Sequence, residues 1–209
     1  SMWRYAELLP FAPETAVTLN EGATQLVEAP TFAETLGVDR VLVKDEGRNP
    51  TGTSADRGQS VAVTAARQHD AETLALASTG NSGQSASAYA GAADLESQVF
   101  VPSRTGFTNK AMVNVHGGEM SVVEGRIGDA IAAFERERAD EPDWYSVQAF
   151  ETPYRHEGAK TLYYELVEQL DWTVPDAIVH PTGHGTTLVG MYKGASEFVD
   201  LGLVDEMPS

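Results

Sequence analysis

Thr73-Leu74-Ala75-Leu76-Ala77-Ser78-Thr79-Gly80-Asn81-Ser82-Gly83 is the stretch whose reading decides the fold. Its first five residues carry no charge and read as a buried strand. The small polar turn that follows opens into a run of small residues reading as a helix over Ser82–Ala93. A strand passing through a tight turn into a helix is half of a βαβ unit, and the rest of the chain repeats the pattern. Strands are expected at Arg40–Lys44, Thr73–Ala77, Gln98–Val101, Met120–Glu124, Trp144–Gln148 and Ala177–His180. Helices are expected at Ala55–His69, Ser82–Ala93, Lys110–His116, Ile127–Arg138, Gly158–Gln169 and Thr187–Phe198. This order predicts an α/β fold with a doubly wound parallel sheet.

A second strand-to-helix turn, Pro181-Thr182-Gly183-His184-Gly185-Thr186-Thr187, has the same chemistry. In open α/β sheets, ligands bind beyond the carboxyl ends of the strands, where the free amides of a helix N-terminus favour anions. Both turns are therefore candidate anion sites, although a glycine-rich turn in isolation is as often a tight turn and nothing more. Neither contains G-x-G-x-x-G or Gly-Lys-Ser/Thr, so dinucleotide and nucleoside-triphosphate chemistry lack their usual sequence support.

Charge narrows the partners. Acidic residues number 31 against 14 basic ones, a net charge of −17 spread along the chain. Nucleic acid is excluded as a partner, because binding it requires lysine and arginine to displace counterions from phosphates. Only four of the basic residues are lysines (Lys44, Lys110, Lys160 and Lys193). An acid-rich, lysine-poor surface suits high salt, where screening relieves self-repulsion, so a halophilic source is expected. The absence of cysteine removes disulfides, thiolate metal sites and thiol nucleophiles, and no metal site is expected. With no signal-peptide pattern and no apolar run long enough to cross a membrane, the expectation is a cytoplasmic protein.

The segment Lys44-Asp45-Glu46-Gly47-Arg48-Asn49-Pro50-Thr51-Gly52-Thr53-Ser54-Ala55-Asp56-Arg57-Gly58, taken with both turns, resembles the fold-type II pyridoxal-phosphate enzymes, and threonine synthases in particular. That family reads Lys-Asp-Glu, then Asn-Pro-Thr-Gly-Ser-Phe-Lys-Asp-Arg-Gly, then Ser-Thr-Gly-Asn at a strand end, then a Gly-Asn-Gly-Gly type loop. Thr152-Pro153-Tyr154-Arg155-His156-Glu157-Gly158 adds weaker support, and the resemblance runs from Trp3-Arg4-Tyr5 to Tyr192-Lys193-Gly194. It implies the tryptophan synthase β-like architecture, incomplete at the C-terminus. A large domain would be formed by residues 1–45 and 146–209, with a smaller α/β domain, 46–145, inserted between them.

The resemblance also implies a cofactor, pyridoxal 5'-phosphate, and a substrate, a small phosphorylated amino acid. Gly183, His184, Gly185, Thr186 and Thr187 would cradle the cofactor phosphate, and Asn81 would bond its phenolic oxygen; Asn81 also reads as a helix N-cap, and one residue can serve both purposes. Ser78, Thr79, Gly80 and Ser82 would receive the substrate carboxylate. The implied reaction converts O-phosphohomoserine and water to threonine and phosphate, and homodimers are common in the family.

The departure that matters most is Ala55, which stands where the family has its Schiff-base lysine. A methyl group neither condenses with an aldehyde nor moves a proton, so this chain is expected to be catalytically silent and to hold the cofactor non-covalently at best. Ser54 replaces the family's Phe, His184 its Asn and Gln25 its Pro. Lys110, Lys160 and Lys193 read as solvated helix residues rather than substitutes for the missing amine. Two other readings stay open. One is a non-catalytic protein that binds a small anion or a partner, or an engineered minimal fragment, on the same fold. The other, within the same chemistry, is a serine/threonine dehydratase or a cysteate synthase.

Overall fold

Leu74 and Leu76 face one side of their strand while Ala75 and Ala77 face the other, and this alternation organises the computed structural model, which describes residues 1–209. In chain order the elements are β1 (Leu26–Glu28), α1 (Pro30–Leu36), β2 (Leu42–Lys44), α2 (Ala55–Gln68), β3 (Thr73–Ala77), α3 (Asn81–Ala92), β4 (Glu96–Pro102) and α4 (Phe107–Val115). Then follow β5 (Glu119–Val123), α5 (Ile127–Arg138), β6 (Trp144–Ser146), α6 (Tyr154–Ala159), α7 (Thr161–Gln169) and α8 (Thr186–Asp200). Short 3-10 turns occupy Met2–Leu8, Pro13–Thr15 and Glu46–Arg48.

Strands β3 to β6 form a parallel sheet in the order β5-β4-β3-β6. The chain moves outward from β3 through α3 and α4, then returns through α5 to place β6 on the other side of β3. On one face, Ala62 and Val63 of α2, Tyr89 and Ala90 of α3, and Val113 of α4 bury Leu74, Leu76, Val99 and Val101. On the opposite face, Ala130, Ala133 and Phe134 of α5 cover Ala75, Ala77 and Phe100, with the Phe100 and Phe134 rings 5.8 Å apart. Helices on both faces make the sheet doubly wound, as the alternating sequence predicts. Each fully buried large side chain contributes about 1.5–3 kcal/mol. The reversal of strand order falls between β3 and β6, which opens a crevice at their carboxyl ends.

A second apolar cluster joins α7 and α8, with Tyr164 and Phe198 stacked 4.5 Å apart. Helices α2, α6 and α8 meet through glycines. A β-carbon on Gly158 would lie 1.9 Å from the Arg57 carbonyl oxygen, and one on Gly58 would lie 2.9 Å from that of Arg155. On α8, β-carbons on Gly190 and Gly194 would come within 2.6 Å of Ala159 Cβ and 2.8 Å of the Lys160 carbonyl oxygen.

Several expectations need correction. Ala177–His180 forms no strand. Its one ladder-like contact is with the last residue, where Ile178 N donates to Ser209 O and Ser209 N donates to Asp176 O, both at 3.0 Å. An apolar extended segment becomes a strand only when a neighbour takes its amides and carbonyls, and Val179 is left 93% exposed. The expected strand Arg40–Lys44 shortens to β2 and pairs antiparallel with β1, outside the parallel sheet. The expected helix Gly158–Gln169 is two helices, α6 beginning earlier at Tyr154 and meeting α7 at Lys160.

Candidate functional site

Ala55 is the first residue of α2, and its amide donates to Thr53 Oγ1 at 3.2 Å. The next two residues hold this helix start rigidly. Asp56 accepts from the Thr51 amide (2.7 Å), the Thr51 hydroxyl (2.6 Å) and the Ser85 hydroxyl (2.6 Å), tying the Asn49–Gly52 turn to α3. Burial raises the Asp56 carboxyl above its ordinary range, and these three bonds oppose the rise.

Arg57, with no exposed surface, donates to Glu46 (2.7 and 2.8 Å) and to Glu165 (3.1 and 3.3 Å). Lys44 reaches the same Glu165, as well as the Thr24 carbonyl at 2.6 Å. Two cations and two carboxylates thus balance in a buried cluster that joins β2, α2 and α7. Burial alone would raise the pKa of Glu165, but Arg57 and Lys44 outweigh it and hold the carboxyl down at about 2.

The turn after β3 is shaped by Ser78, whose hydroxyl accepts from the amides of Gly80 (3.1 Å) and Gly83 (3.0 Å). Gly80 is the N-cap of α3 at φ 152°, and a β-carbon there would strike the Asn109 side chain. Asn81 is the first helical residue and lies exposed, so the capping role considered for it falls to the Ser78 hydroxyl. Ser82 Oγ accepts from Arg155 Nη2 at 2.8 Å.

Arg155 links the strand ends. Its Nη1 donates to the Val147 carbonyl just beyond β6 (3.1 Å), its Nη2 reaches Ser82 beyond β3, and its Nε is buried without a partner. The guanidinium therefore spans the crevice where the strand order reverses. Burial pushes its pKa down to about 10, which leaves it charged at neutral pH.

The turn at Gly183–Thr187 leads into α8, whose N-cap, Gly185, has φ 91° and offers no side-chain cap. The first-turn amides of α8 have no intrahelical acceptor, and the positive end of the helix dipole lies with them. The ring of Phe150 lies 3.7 Å from where a Gly185 β-carbon would be, and 5.0 Å from the ring of His156. Burial first, and Arg155 second, lower the His184 pKa, so the imidazole stays neutral at pH 7, with Nδ1 3.0 Å from the Thr186 hydroxyl. Segment 147–158 thus touches both predicted turns, Ser82 through Arg155 and Gly185 through Phe150, and Gly58 and Gly158 seat that segment on the helix that begins at Ala55. The sequence signal for it was there in Arg155, between Tyr154 and His156.

The lysines account for themselves. Lys44 is held by Glu165, Lys110 donates to the Ser103 carbonyl (2.7 Å), and Lys160 and Lys193 pair with Glu157 and Glu197. Lys160, expected to be solvated, has a side chain only 4% exposed, because Gly194 lets α8 close over it. Each of the four thus has a polar partner of its own. Against a phosphorylated pyridine cofactor, the non-covalent half of the site fits: an uncapped helix start, two threonine hydroxyls and a buried arginine with an unpartnered Nε. The covalent half does not fit, since Ala55 offers only a methyl group.

A family profile described as "Pyridoxal-phosphate dependent enzyme" matches residues 17–204. Threonine synthase of Methanosarcina acetivorans is 38% identical over 209 residues, covering 100% of this chain and 51% of that protein. Threonine synthase of Methanocaldococcus jannaschii is 35% identical, covering 99% and 51%. The chain thus spans about half the length of the curated relatives it matches. Among solved structures, apo diaminopropionate ammonia lyase of Escherichia coli aligns at TM-score 0.79 and 17% identity, covering 90% of this chain and 59% of that one. Cysteine synthase of Entamoeba histolytica aligns at 0.79 and 21%, covering 87% and 56%, which establishes a shared fold.

Proposed function

The chain belongs to the pyridoxal-phosphate-dependent enzyme family, and from that premise we propose that it is a threonine-synthase-like chain that retains the cofactor cradle and has lost the chemistry. The observation carrying this reading is Ala55, set at the start of α2 between Asn49-Pro50-Thr51-Gly52 and Asp56-Arg57-Gly58, which keep the family's pattern, with Ser54 a second departure beside it. Bound pyridoxal phosphate supplies an electron sink for carbanions formed on an amino-acid substrate.

In this reading the amides of Gly183–Thr187, with the hydroxyls of Thr186 and Thr187, would hold the cofactor phosphate at the start of α8. Asn81, exposed at the start of α3, would bond the ring's phenolic oxygen. The turn Ser78–Ser82 receives the substrate carboxylate, and Arg155 fixes Ser82 and makes the crevice positive. The parent reaction on O-phosphohomoserine needs an amine that both links to the cofactor and carries protons, and residue 55 supplies neither. The division into an inserted unit, 46–145, and a larger partner, 1–45 with 146–209, is part of this reading; the apolar cluster around α7 and α8 lies wholly in the larger unit, whereas the sheet cluster also takes in Val17 and Val147 from it.

The test is a comparison of the unmodified chain with Ala55→Lys, each mixed with pyridoxal phosphate, reduced with borohydride and mapped by mass spectrometry. The unmodified chain should carry no adduct, and Ala55→Lys should carry one at residue 55 and release phosphate from O-phosphohomoserine. An adduct on Lys44, Lys110, Lys160 or Lys193 of the unmodified chain would sink the claim of lost chemistry. An Ala55→Lys chain that neither binds the cofactor nor gains an adduct would sink the cradle, and favour a non-catalytic anion-binding protein.

A further inference from the structure

Six basic side chains form no ion pair within the chain: Arg67, Arg104, Lys110, Arg126, Arg136 and Arg155. Two of them are explained by helix ends, since Arg67 and Arg136 lie in the last turns of α2 and α5, where a cation faces the negative end of the dipole. Arg155 belongs to the crevice already described. The other three gather at the carboxyl ends of β4 and β5. Arg104 and Arg126 line one cleft of about 340 Å³ together with Thr79, Thr105, Gly106 and Ile127. Lys110 folds back onto Ser103, next to Arg104, at 2.7 Å.

The backbone adds to the positive character of this cleft. Helix α4 starts at its wall with Gly106 as N-cap, no side-chain cap and no acidic residue in the first turn, so its free amides and dipole are uncompensated. Helix α5 starts at the other wall with Ile127. There Asp129 accepts the Arg126 amide at 2.7 Å and compensates the α5 start, and Glu124 accepts the Ser103 hydroxyl at 3.0 Å, so the positive character of the cleft rests on its arginines and the α4 start. The Thr105 hydroxyl is buried without a partner. Thr79 belongs both to this cleft and to the Ser78–Ser82 turn, so the cleft adjoins the substrate side of the site. A net charge of −17 repels polyanions from the molecule as a whole, whereas a small dianion can be held by a local cluster of cations.

We propose that the cleft at the carboxyl ends of β4 and β5 is an anion-binding vestibule in which Arg104 and Arg126 hold the phosphate group of a small phosphorylated molecule beside the Thr79–Gly80 turn. This rests on the reading that the Ser78–Ser82 turn receives a phosphorylated amino acid. The shared chemistry is a phosphate dianion, which arrives as the monoester substrate or leaves as inorganic phosphate. Two guanidinium groups match its oxygens as paired donors.

The experiment titrates the isotopically labelled, unmodified chain with inorganic phosphate and, separately, with O-phosphohomoserine at constant ionic strength, following backbone amides by nuclear magnetic resonance. Saturable shifts are expected at Thr105, Gly106 and Ile127. They should weaken by at least about tenfold when Arg104→Gln and Arg126→Gln are combined, as the loss of charge-assisted bonds requires. Tighter binding of O-phosphohomoserine assigns the vestibule to substrate entry, and tighter binding of inorganic phosphate assigns it to product. Shifts confined to Gly185–Thr187, shifts that persist in the double variant, or equal displacement by chloride would each overturn the proposal. Failure of the cofactor cradle shows instead in the borohydride mapping of Ala55→Lys, and leaves this titration untouched.

Discussion

Residue 55 is a methyl group beside two of the most constrained side chains in the molecule. Asp56 and Arg57 are buried in networks that reach α3, α7, β2 and the Glu46–Arg48 turn, and those networks fix where the start of α2 stands. The position is therefore preorganised although its own side chain has nothing to offer, which is why a single substitution there is an informative test. Glu165 carries a second prediction. Its pKa falls from 4.5 to about 2 on folding, because Arg57 and Lys44 outweigh burial. A depressed carboxylate stabilises the fold above its unfolded pKa, and that contribution is lost as pH falls from about 4.5 towards 2. Urea melts taken from pH 6 downward should show stability falling through this window. In Glu165→Gln that part of the acid dependence should be missing, and stability at pH 7 should drop by about 3–5 kcal/mol, since Arg57 and Lys44 lose their shared partner. An unchanged acid limb would show that Glu165 is not the titrating group.

Among the elements, the glycine contacts of α2, α6 and α8 set the distance between the helix that begins at residue 55 and the turn that begins α8. Gly158→Ala places a methyl group on the Arg57 carbonyl, backbone against backbone, where no rotamer change relieves the overlap. The expected result is a loss of at least about 1–3 kcal/mol, read as a lower urea midpoint, with cofactor binding weakened as well; a variant as stable as the parent would show that the helices part easily. These contacts were not legible in the sequence, because a helical glycine looks the same whether it faces solvent or another backbone. What was legible is local. The β3 turn and α3 announce themselves through an apolar run and a small-residue turn, and α5 was placed to the residue by its pattern. Ala177–His180 misled because its apolar character promises a strand, whereas a strand exists only by pairing. Arg155 stands in a motif that the sequence shows, but its role does not, because it depends on two strand ends that are distant in sequence and adjacent only once β6 lies beside β3.

For the molecule as a whole, charge sets stability against solvent. A net charge of −17 on 209 residues repels itself in dilute buffer. In about 1 M salt the Debye length falls to roughly 3 Å, which removes most repulsion between exposed carboxylates. The same salt weakens exposed ion pairs such as Arg40–Glu28 and Arg138–Glu151, but each of these is worth only about 0–1 kcal/mol. The Arg57–Glu165 and Lys44–Glu165 pairs lie inside and are screened much less. The balance therefore favours salt: the thermal midpoint should rise between dilute buffer and molar potassium chloride, steeply at first and levelling once the screening length is shorter than the spacing of surface charges. A midpoint that does not move would mean that the carboxylates are far enough apart to ignore one another. A midpoint that climbs without levelling would point instead to salting-out of exposed apolar side chains such as Val179 and Phe107. Potassium sulfate at matched ionic strength separates these causes, since screening depends on ionic strength alone, whereas exclusion from apolar surface is stronger for sulfate than for chloride.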